Sequence, residues 1–478
     1  MTKEAIKAKE LSPLKRIGNF QEVTLAYGEE EALEEAKRCL QCKNPVCISG
    51  CPVEIDIKKF IYQITQEDYK GAYFTIKEKN NFASICGRIC PAEYQCRKTC
   101  VLTKTGEPFA SPEAINIHFL ERFAGDYGIE HNLQPTVNRI SNTVTLGPKP
   151  EIPKVVVVGS GPAGLCCAGE LARCGIKVVI FESLHKPGGV LRYGIPIFRL
   201  PQDVLEAEID YLKTLGVEIV TNIVIGRAKS LEELRREFSA VFLGLGAGVP
   251  YFLNIKGENL CNIYSANEFL TRVNLMGAYK FPEFHTPVNI GKKIIVIGGG
   301  NTAMDAARVA LRLQKMNKKK PDVRIFYRRS EVEMPARRLE IVHAKEEGLK
   351  FEFLVQPIEF KGNSKGWLGK IKSLRCKLGE LDSSGRRRPV ALPGSKFNMA
   401  CDMAIIAVGL GANKILTSVT RELEVDKWGD IIVNSVTMET SIKGVFAGGD
   451  IVGGEGTVIE AMSMAKKGAR SIIKYLSS

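Results

Sequence analysis

The chain has 478 residues but only two Trp and five His, at 118, 131, 185, 285 and 343, too scattered for a His-based metal site. No run of ~18 apolar residues occurs, so no membrane span is expected. Residues Met1-Thr2-Lys3-Glu4 open a charged stretch with no apolar h-region of a secretory signal, so the expected compartment is the cytoplasm. Hydrophobic residues at 45% and charged ones at 25% exclude a disordered or collagenous chain. The length is enough for two to four domains without disulfide staples. With 67 Lys plus Arg against 53 Asp plus Glu, the formal charge is +14. A basic surface can meet nucleic acid, acidic lipid or an acidic protein. Here Lys and Arg are spread rather than striped. The densest runs, Lys318-Lys319-Lys320 and Arg386-Arg387-Arg388, precede Pro321 and Pro389 and read as solvated loops. Nucleic acid is therefore not an expected partner.

What is abundant is cysteine: fourteen, of which eight lie between Cys39 and Cys100. In a reducing compartment, clustered thiols hold metal or do redox chemistry more often than they form structural disulfides. Cys39-Leu-Gln-Cys42, Cys47 and Cys51-Pro52 give the spacing C-x2-C-x4-C-x3-C-P, close to the bacterial ferredoxin run. Cys86, Cys90-Pro91, Cys96 and Cys100 form a second run. The paired C-x2-C pattern usual for structural zinc is absent, leaving zinc and inert thiols as the weaker readings.

Residues 1–120 read as mainly helical. Glu29 to Leu40 leads into the first Cys loop, and Ile57, Phe60, Ile61 and Ile64 share one helical face. Residues 131–153 lack periodicity, carry four Pro and read as a linker. Lys154-Val-Val-Val-Val158 then enters Gly159-Ser-Gly161-Pro162-Ala163-Gly164, with a helix from Leu165 to Cys174 after it. The next strand, Lys177 to Phe181, ends at Glu182, 23 positions past Gly159. Strand, G-x-G-x-x-G, helix and acid together are the context of a dinucleotide fold. The glycines let a pyrophosphate approach a helix N-terminus, and Glu182 accepts hydrogen bonds from a ribose.

A second copy runs from Lys292 through Gly298-Gly-Gly300-Asn301-Thr302-Ala303, a helix from Asp305 to Leu313, and a strand from Asp322 to Tyr327. At its end Arg328-Arg329 replaces the acid. Paired guanidiniums bind a 2′-phosphate that an acid repels, so this copy is expected to prefer NADP(H); a solvated charge pair is the plainer alternative. Gly448-Gly449-Asp450 after a strand places a carboxylate beside a flavin ribityl chain, unless Asp450 is merely an N-cap. The helix starting near Gly456–Thr457 would point N–H groups at the flavin ring. Cys401 to Gly409 reads as the strand returning the chain from the second fold to the first.

Along its length the chain resembles the glutamate synthase small subunit-like FAD/NADPH iron–sulfur oxidoreductases. The matching stretches are Arg38-Cys-Leu-Gln-Cys42, Gly50-Cys-Pro52, Ile89-Cys-Pro91, Gly188-Gly-Val-Leu-Arg-Tyr-Gly-Ile-Pro196, Phe198-Arg-Leu-Pro201, Gly298 to Asp305, Tyr327-Arg-Arg329 with Met334-Pro335, and Phe446 to Asp450. Within that family, Asn19-Phe-Gln-Glu-Val23, Cys51 to Ile57 and Tyr193-Gly-Ile-Pro are more similar to the large subunit of NADH-dependent reduced ferredoxin:NADP oxidoreductase (Nfn).

The resemblance implies an α/β architecture: a helical N-terminal double 4Fe–4S domain (1–150), then a split FAD domain (151–285 and 413–478) interrupted by an NADP(H) domain (286–412). It implies that Cys39, Cys42, Cys47 and Cys100 hold one cluster, and that Cys51, Cys90 and Cys96 hold the other with Glu121 as fourth ligand. Cys86 as that ligand, or Glu121 as a solvated helix residue, remain open. FAD contacts carry over to Gly159, Gly161, Pro162, Ala163, Gly164, Glu182, Gly189, Leu191, Gly449 and Asp450. NADP(H) contacts carry over to Gly298, Gly300, Asn301, Thr302, Arg328 and Arg329.

The expected function is that of an electron-transfer flavoprotein subunit in a hetero-oligomer. Electrons would pass between NADP(H), FAD and the clusters, and on to or from ferredoxin or a smaller flavin and iron–sulfur subunit, with flavin-based bifurcation in the Nfn type. The alternative is the electron-input subunit of glutamate synthase, partnered by the large synthase subunit. No side chain is needed as an acid–base catalyst.

Overall fold

The computed structural model describes residues 4–104, 106, 109–134, 153–454 and 456–477. The linker expected over 131–153 falls largely outside them.

The N-terminal domain is helical because short capped segments bury one face each. In helix α1 (Glu29–Lys37) the Glu31 carboxylate accepts from Gly28 N at 2.7 Å. In α2 (Ile57–Thr65) Asp56 accepts from Lys59 N at 3.0 Å, satisfying an otherwise orphaned donor, and the expected stripe Ile57, Phe60, Ile61, Ile64 is buried. Helices α3 (Tyr69–Lys77), α4 (Ala83–Ile89) and α5 (Ile117–Glu130) complete the domain. α4 stops at Cys90, whose ψ of 138° turns the chain out of the helix.

The first nucleotide fold begins with β1 (Lys154–Val158), α6 (Pro162–Arg173) and β2 (Lys177–Phe181), followed by α7 (Gln202–Thr214), β3 (Glu218–Val220) and β4 (Ala240–Leu243). β5 (Ala247–Pro250) leaves it. The second fold contains β6 (Ile263–Ser265), β7 (Ile294–Ile297), α8 (Asn301–Met316), β8 (Val323–Tyr327), α9 (Arg338–Glu346) and β9 (Lys350–Phe353). An antiparallel excursion follows, of β10 (Val355–Gly362), β11 (Leu368–Leu381), β12 (Arg387–Ala391) and β13 (Phe397–Ala400). Then come β14 (Met403–Ile406), β15 (Leu410–Ala412), β16 (Val445–Ala447) and α10 (Val458–Ser477).

Two five-stranded parallel sheets result, in the orders β16-β4-β1-β2-β3 and β6-β14-β7-β8-β9. Their strands are Val/Ile-rich without alternation because helices or neighbouring chain cover both faces. The chain enters and leaves the second sheet through the antiparallel ribbon β5–β15. Two expectations change here. By strand pairing the second fold begins before 286, since β6 pairs with β14. The stretch 401–409 is not the returning strand either: β14 lies inside the second sheet, and β15 makes the return.

Buried charges join the three parts. Lys77, on α3, pairs with Glu208 of α7 and donates to Asn81 O at 2.6 Å. Arg199 grips both Asp305 oxygens of α8 at 2.8 and 2.7 Å. Phe198 beside it packs under Arg312, whose guanidinium carbon is 3.8 Å from the ring centroid. Within the second fold, Glu347 receives Arg308 Nη2 and Arg312 Nη1, each at 2.7 Å, and all three side chains are fully buried. Among the described residues no helix is long and apolar enough to cross a membrane.

Candidate functional site

Cys39, Cys42, Cys47 and Cys100 line one cavity, with Leu40, Val46, Ile57 and Ile61 around them. The first three come from the loop after α1. Cys100 arrives from the second cysteine run. Burial pushes the Cys47 thiol up to about 12, with Cys100 and Cys39 adding to it, and burial likewise raises Cys39. Thiols crowded in an apolar wall ionise only against a cationic partner, which a metal centre supplies. Tetrahedral zinc at about 2.3 Å per sulfur would draw its thiolates within about 4 Å of one another. Among the described residues no three cysteine sulfurs lie within 4.8 Å of each other. The donor set is soft, all-thiolate and widely spread, which fits a cubane better than a single ion.

Cys51, Cys90, Cys96 and Glu121 form a second, deeper group. Burial pushes Cys51 up to about 12, with the Glu121 carboxylate and Cys86 contributing. Cys96 is raised by burial, then by Cys51 and Glu121. Hydrogen bonding with Cys86, then burial, raises Cys90. Glu121 is not a solvated helix residue: it is 6% exposed, and burial pushes its carboxyl up to about 8 against the opposing hydrogen bond from Asn80. Cys86 is fully buried in the same group, its sulfur 3.8 Å from Asn80 Oδ1 and 3.9 Å from Met462 Sδ.

The flavin-type cavity, about 340 Å³, opens at the C-terminal ends of β1, β4 and β16, where ligands of open parallel sheets bind. Gly159, Gly161, Pro162, Ala163, Glu182, Gly189, Gly449 and Asp450 line it. Gly159 has φ +96°, and a Cβ there would lie 2.5 Å from Gly244 O. A Cβ on Gly161 would meet no protein atom within 4 Å and would project into ligand space. The Glu182 carboxylate accepts from Ser160 N at 2.9 Å and Leu184 N at 2.8 Å, which fixes it at the cavity edge. Two expected contacts stand behind the wall instead. A Cβ on Gly164 would lie 1.9 Å from Gly159 O, so Gly164 packs helix on strand, and Leu191 is fully buried in the core.

The second cavity, about 680 Å³, is lined by Gly298, Gly300, Thr302, Arg328 and Arg329. Asn301 is a correction: it does not line the cavity, and its Oδ1 accepts from Arg337 N at 2.9 Å, pinning the loop after Pro335. The paired-arginine expectation also divides. Arg328 is exposed at the rim, whereas Arg329 is 6% exposed and bonded to Asp382 and the Arg387 carbonyl. The sequence reading missed Arg386, Trp428, Tyr251 and Phe252 on this cavity, and Asn267 and Leu410, which line both cavities. Those residues come from segments remote from either glycine motif. Only the Arg386–Arg388 run gave any signal, and it read as solvent-exposed.

The grouping of Glu10, His343 and Glu346 within 4.8 Å is not a cation site, because Arg16 already bridges the two carboxylates.

Two parallel-sheet nucleotide cavities sharing a wall, behind a thiol-rich helical domain, define a two-nucleotide redox enzyme. Residues 153–465 match the pyridine nucleotide-disulphide oxidoreductase family, and residues 16–133 match dihydropyrimidine dehydrogenase domain II, 4Fe-4S cluster. The chain is 33% identical over 97% of its length to Glutamate synthase [NADPH] small chain of Escherichia coli (strain K12), of which it covers 96%. It is 37% identical, over 90% of its length, to NADP(+)-dependent formate dehydrogenase subunit beta of Moorella thermoacetica, and spans 60% of that relative. To NADPH-Fe(3+) oxidoreductase subunit beta of Geobacter sulfurreducens (strain ATCC 51573 / DSM 12127 / PCA) it is 34% identical over 90% of its length, spanning 63% of that protein. Mycobacterium tuberculosis FprA in complex with NADPH shares the fold, with TM-score 0.57 and 21% identity over 68% of this chain and 85% of that one. The chain belongs to the glutamate synthase small subunit-like FAD/NADPH iron–sulfur oxidoreductases. It is an NADP(H)-dependent enzyme whose cofactors are FAD and 4Fe–4S clusters.

Proposed function

We infer that the chain is the electron-input module of a hetero-oligomer, passing electrons between NADP(H) and a redox partner that docks near the outer cysteine set. The observation that carries this reading is α10. Its first turn, at Val458 and Ala461, lines the flavin cavity, and its Met462 Sδ lies 3.9 Å from Cys86 Sγ in the cysteine domain. That contact supports a spatial order for the four sites. The NADP(H) cavity shares the Asn267–Leu410 wall with the flavin cavity, α10 leads to the deep set of Cys51, Cys90, Cys96 and Glu121, and Cys39, Cys42, Cys47 and Cys100 lie outermost.

Flavin, when bound, supplies the exchange between two-electron hydride and single-electron chemistry. The protein's part is placement. Thr302, Gly298 and Gly300 admit a pyrophosphate at the start of α8, and Gly161 to Ala163 do so at the start of α6. Glu182 holds its position for a ribose, and no side chain has to shuttle a proton for the assignment to hold.

The partner we favour is ferredoxin or a second flavoprotein subunit of the Nfn type, on the stretches that resemble that branch. The alternative is the large subunit of glutamate synthase, favoured by the relative that this chain matches nearly end to end. Affinity purification from the native source, with iron and flavin assayed per chain, tests this. A large synthase subunit in the eluate selects the alternative. A smaller flavin and iron–sulfur subunit selects the first reading. A preparation lacking both iron and flavin overturns the electron-input reading.

A further inference from the structure

The arginine that reads most directly as a phosphate ligand is already committed. Arg329 follows β8, but its Nε donates to Arg387 O at 2.7 Å and its Nη2 pairs with Asp382 Oδ2. Both partners belong to the β11–β12 hairpin, 53 and 58 residues further along the chain. Its loop, Asp382-Ser383-Ser384-Gly385-Arg386, is closed by its own hydrogen bonds. Asp382 N donates to Arg386 O at 2.8 Å, and Gly385, at φ +73°, donates to Asp382 O at 2.9 Å. Asp382 Oδ1 accepts from Ser384 N at 2.9 Å. Next to the loop, Arg387 Nε donates to Glu333 Oε1 at 3.0 Å.

This clamp decides where Arg386 stands. With residues 382 and 387 both tied down, Arg386 reaches the same cavity rim as Arg328, and its one side-chain bond among the described residues, Nε to Ser384 Oγ at 2.9 Å, leaves its terminal nitrogens available. Arg328 lines the same cavity and is exposed, while the buried Arg329 has no comparable freedom.

We propose that the 2′-phosphate of NADP(H) is gripped between Arg328 and Arg386, supplied by the end of β8 and by the distant β11–β12 hairpin, and that Arg329 is the positioning residue that holds the hairpin in place. This rests on assigning the second cavity to NADP(H). Two guanidiniums from separate segments neutralise a dianion and satisfy its oxygens with several donors, which neither alone can do. NAD(H) leaves both unpaired, so the pair acts on selectivity.

The test is calorimetric binding of 2′,5′-ADP and 5′-AMP to the purified holoenzyme and to Arg386→Gln, Arg328→Gln, Arg329→Gln and the Arg329→Gln/Arg386→Gln double variant. Losing a charge-assisted contact should weaken 2′,5′-ADP by about tenfold or more in Arg386→Gln and in Arg328→Gln, with 5′-AMP unchanged in both. Arg329→Gln should also weaken 2′,5′-ADP, and adding it to Arg386→Gln should cost nothing further, which a merely structural role would not produce. Full 2′,5′-ADP affinity in Arg386→Gln, with loss in Arg328→Gln, overturns the two-segment grip and leaves the cavity assignment standing. Wild-type affinity in both, or no binding of either nucleotide to any form, overturns the cavity assignment itself. Additive losses in the double variant overturn the role given to Arg329.

Discussion

Asn80 donates from Nδ2 to Glu121 Oε1 at 2.7 Å, while its Oδ1 accepts from Phe82 N at 2.8 Å and lies 3.8 Å from Cys86 Sγ. One side chain thus stands against both candidates for the fourth ligand of the deep cluster. Its Nδ2 bond to Glu121 engages one carboxylate oxygen and fixes the carboxylate's direction, so the other oxygen is the one that would meet iron if Glu121 is the ligand.

If Glu121 is that ligand, Glu121→Ala changes the electron paramagnetic resonance signal of one cluster and leaves the other. Cys86→Ser then retains two clusters' worth of iron with unchanged signals. The reverse pattern assigns the ligand to Cys86.

The two glycines of the first turn separate folding from binding. Gly161→Ala adds a methyl that touches no protein atom within 4 Å, so the chain should fold with ordinary thermal stability yet purify with most of its flavin missing. Gly159→Ala puts a methyl 2.5 Å from Gly244 O at φ +96°, and should destabilise the fold by about 1–3 kcal/mol. Flavin absorbance and an unfolding curve on each variant check this. Full flavin content in Gly161→Ala would remove the pyrophosphate from this turn.

Glu347 predicts acid lability within the second fold. Burial works to raise its carboxyl, but Arg308 and Arg312 outweigh it and hold the group at about 2, below the ordinary carboxyl value of 4.5. A lowered native value means stability that is complete above pH 4.5 and drains away as pH falls from there toward 2, about 3 kcal/mol in all. Urea unfolding at pH 5, 4 and 3.5 should show a steeper decline for the native chain than for Glu347→Gln. At neutral pH that variant should be weaker by roughly 3–5 kcal/mol, because it leaves buried guanidiniums short of a counter-charge. Parallel pH profiles would mean that Glu347 contributes no such linkage.

The outer cysteine cavity has exposed Leu40 and Val46 at its edge, with Lys43, also exposed, between them in sequence. An acidic electron-transfer partner approaching this face should react faster at low ionic strength, and Lys43→Glu should slow it several-fold while leaving NADPH affinity unchanged. Stopped-flow kinetics with ferredoxin at 20 and 300 mM salt provide the check. Rates independent of both salt and Lys43 would move the docking face elsewhere.

The sequence alone determined whatever depends on a few neighbouring residues. The valine run of β1, the turn from Gly159 to Gly164 and the acid Glu182 are legible because one strand–turn–helix unit sets its own backbone. The same holds for Cys39, Cys42 and Cys47, which one short loop carries. The crossing that brings in Cys100 came from family resemblance and not from spacing, since nothing local links it to Cys39. Tertiary structure decided the rest. It moved Asn301 off the cavity and onto the Arg337 backbone, spent Arg329 on Asp382, and carried Arg386 from an apparent solvent loop to the nucleotide rim. It also made Asn267 and Leu410 a common wall. In each case the deciding partner lies tens to more than a hundred residues away. A side chain's local pattern states which bonds it can make, and only packing states which partner arrives to make them.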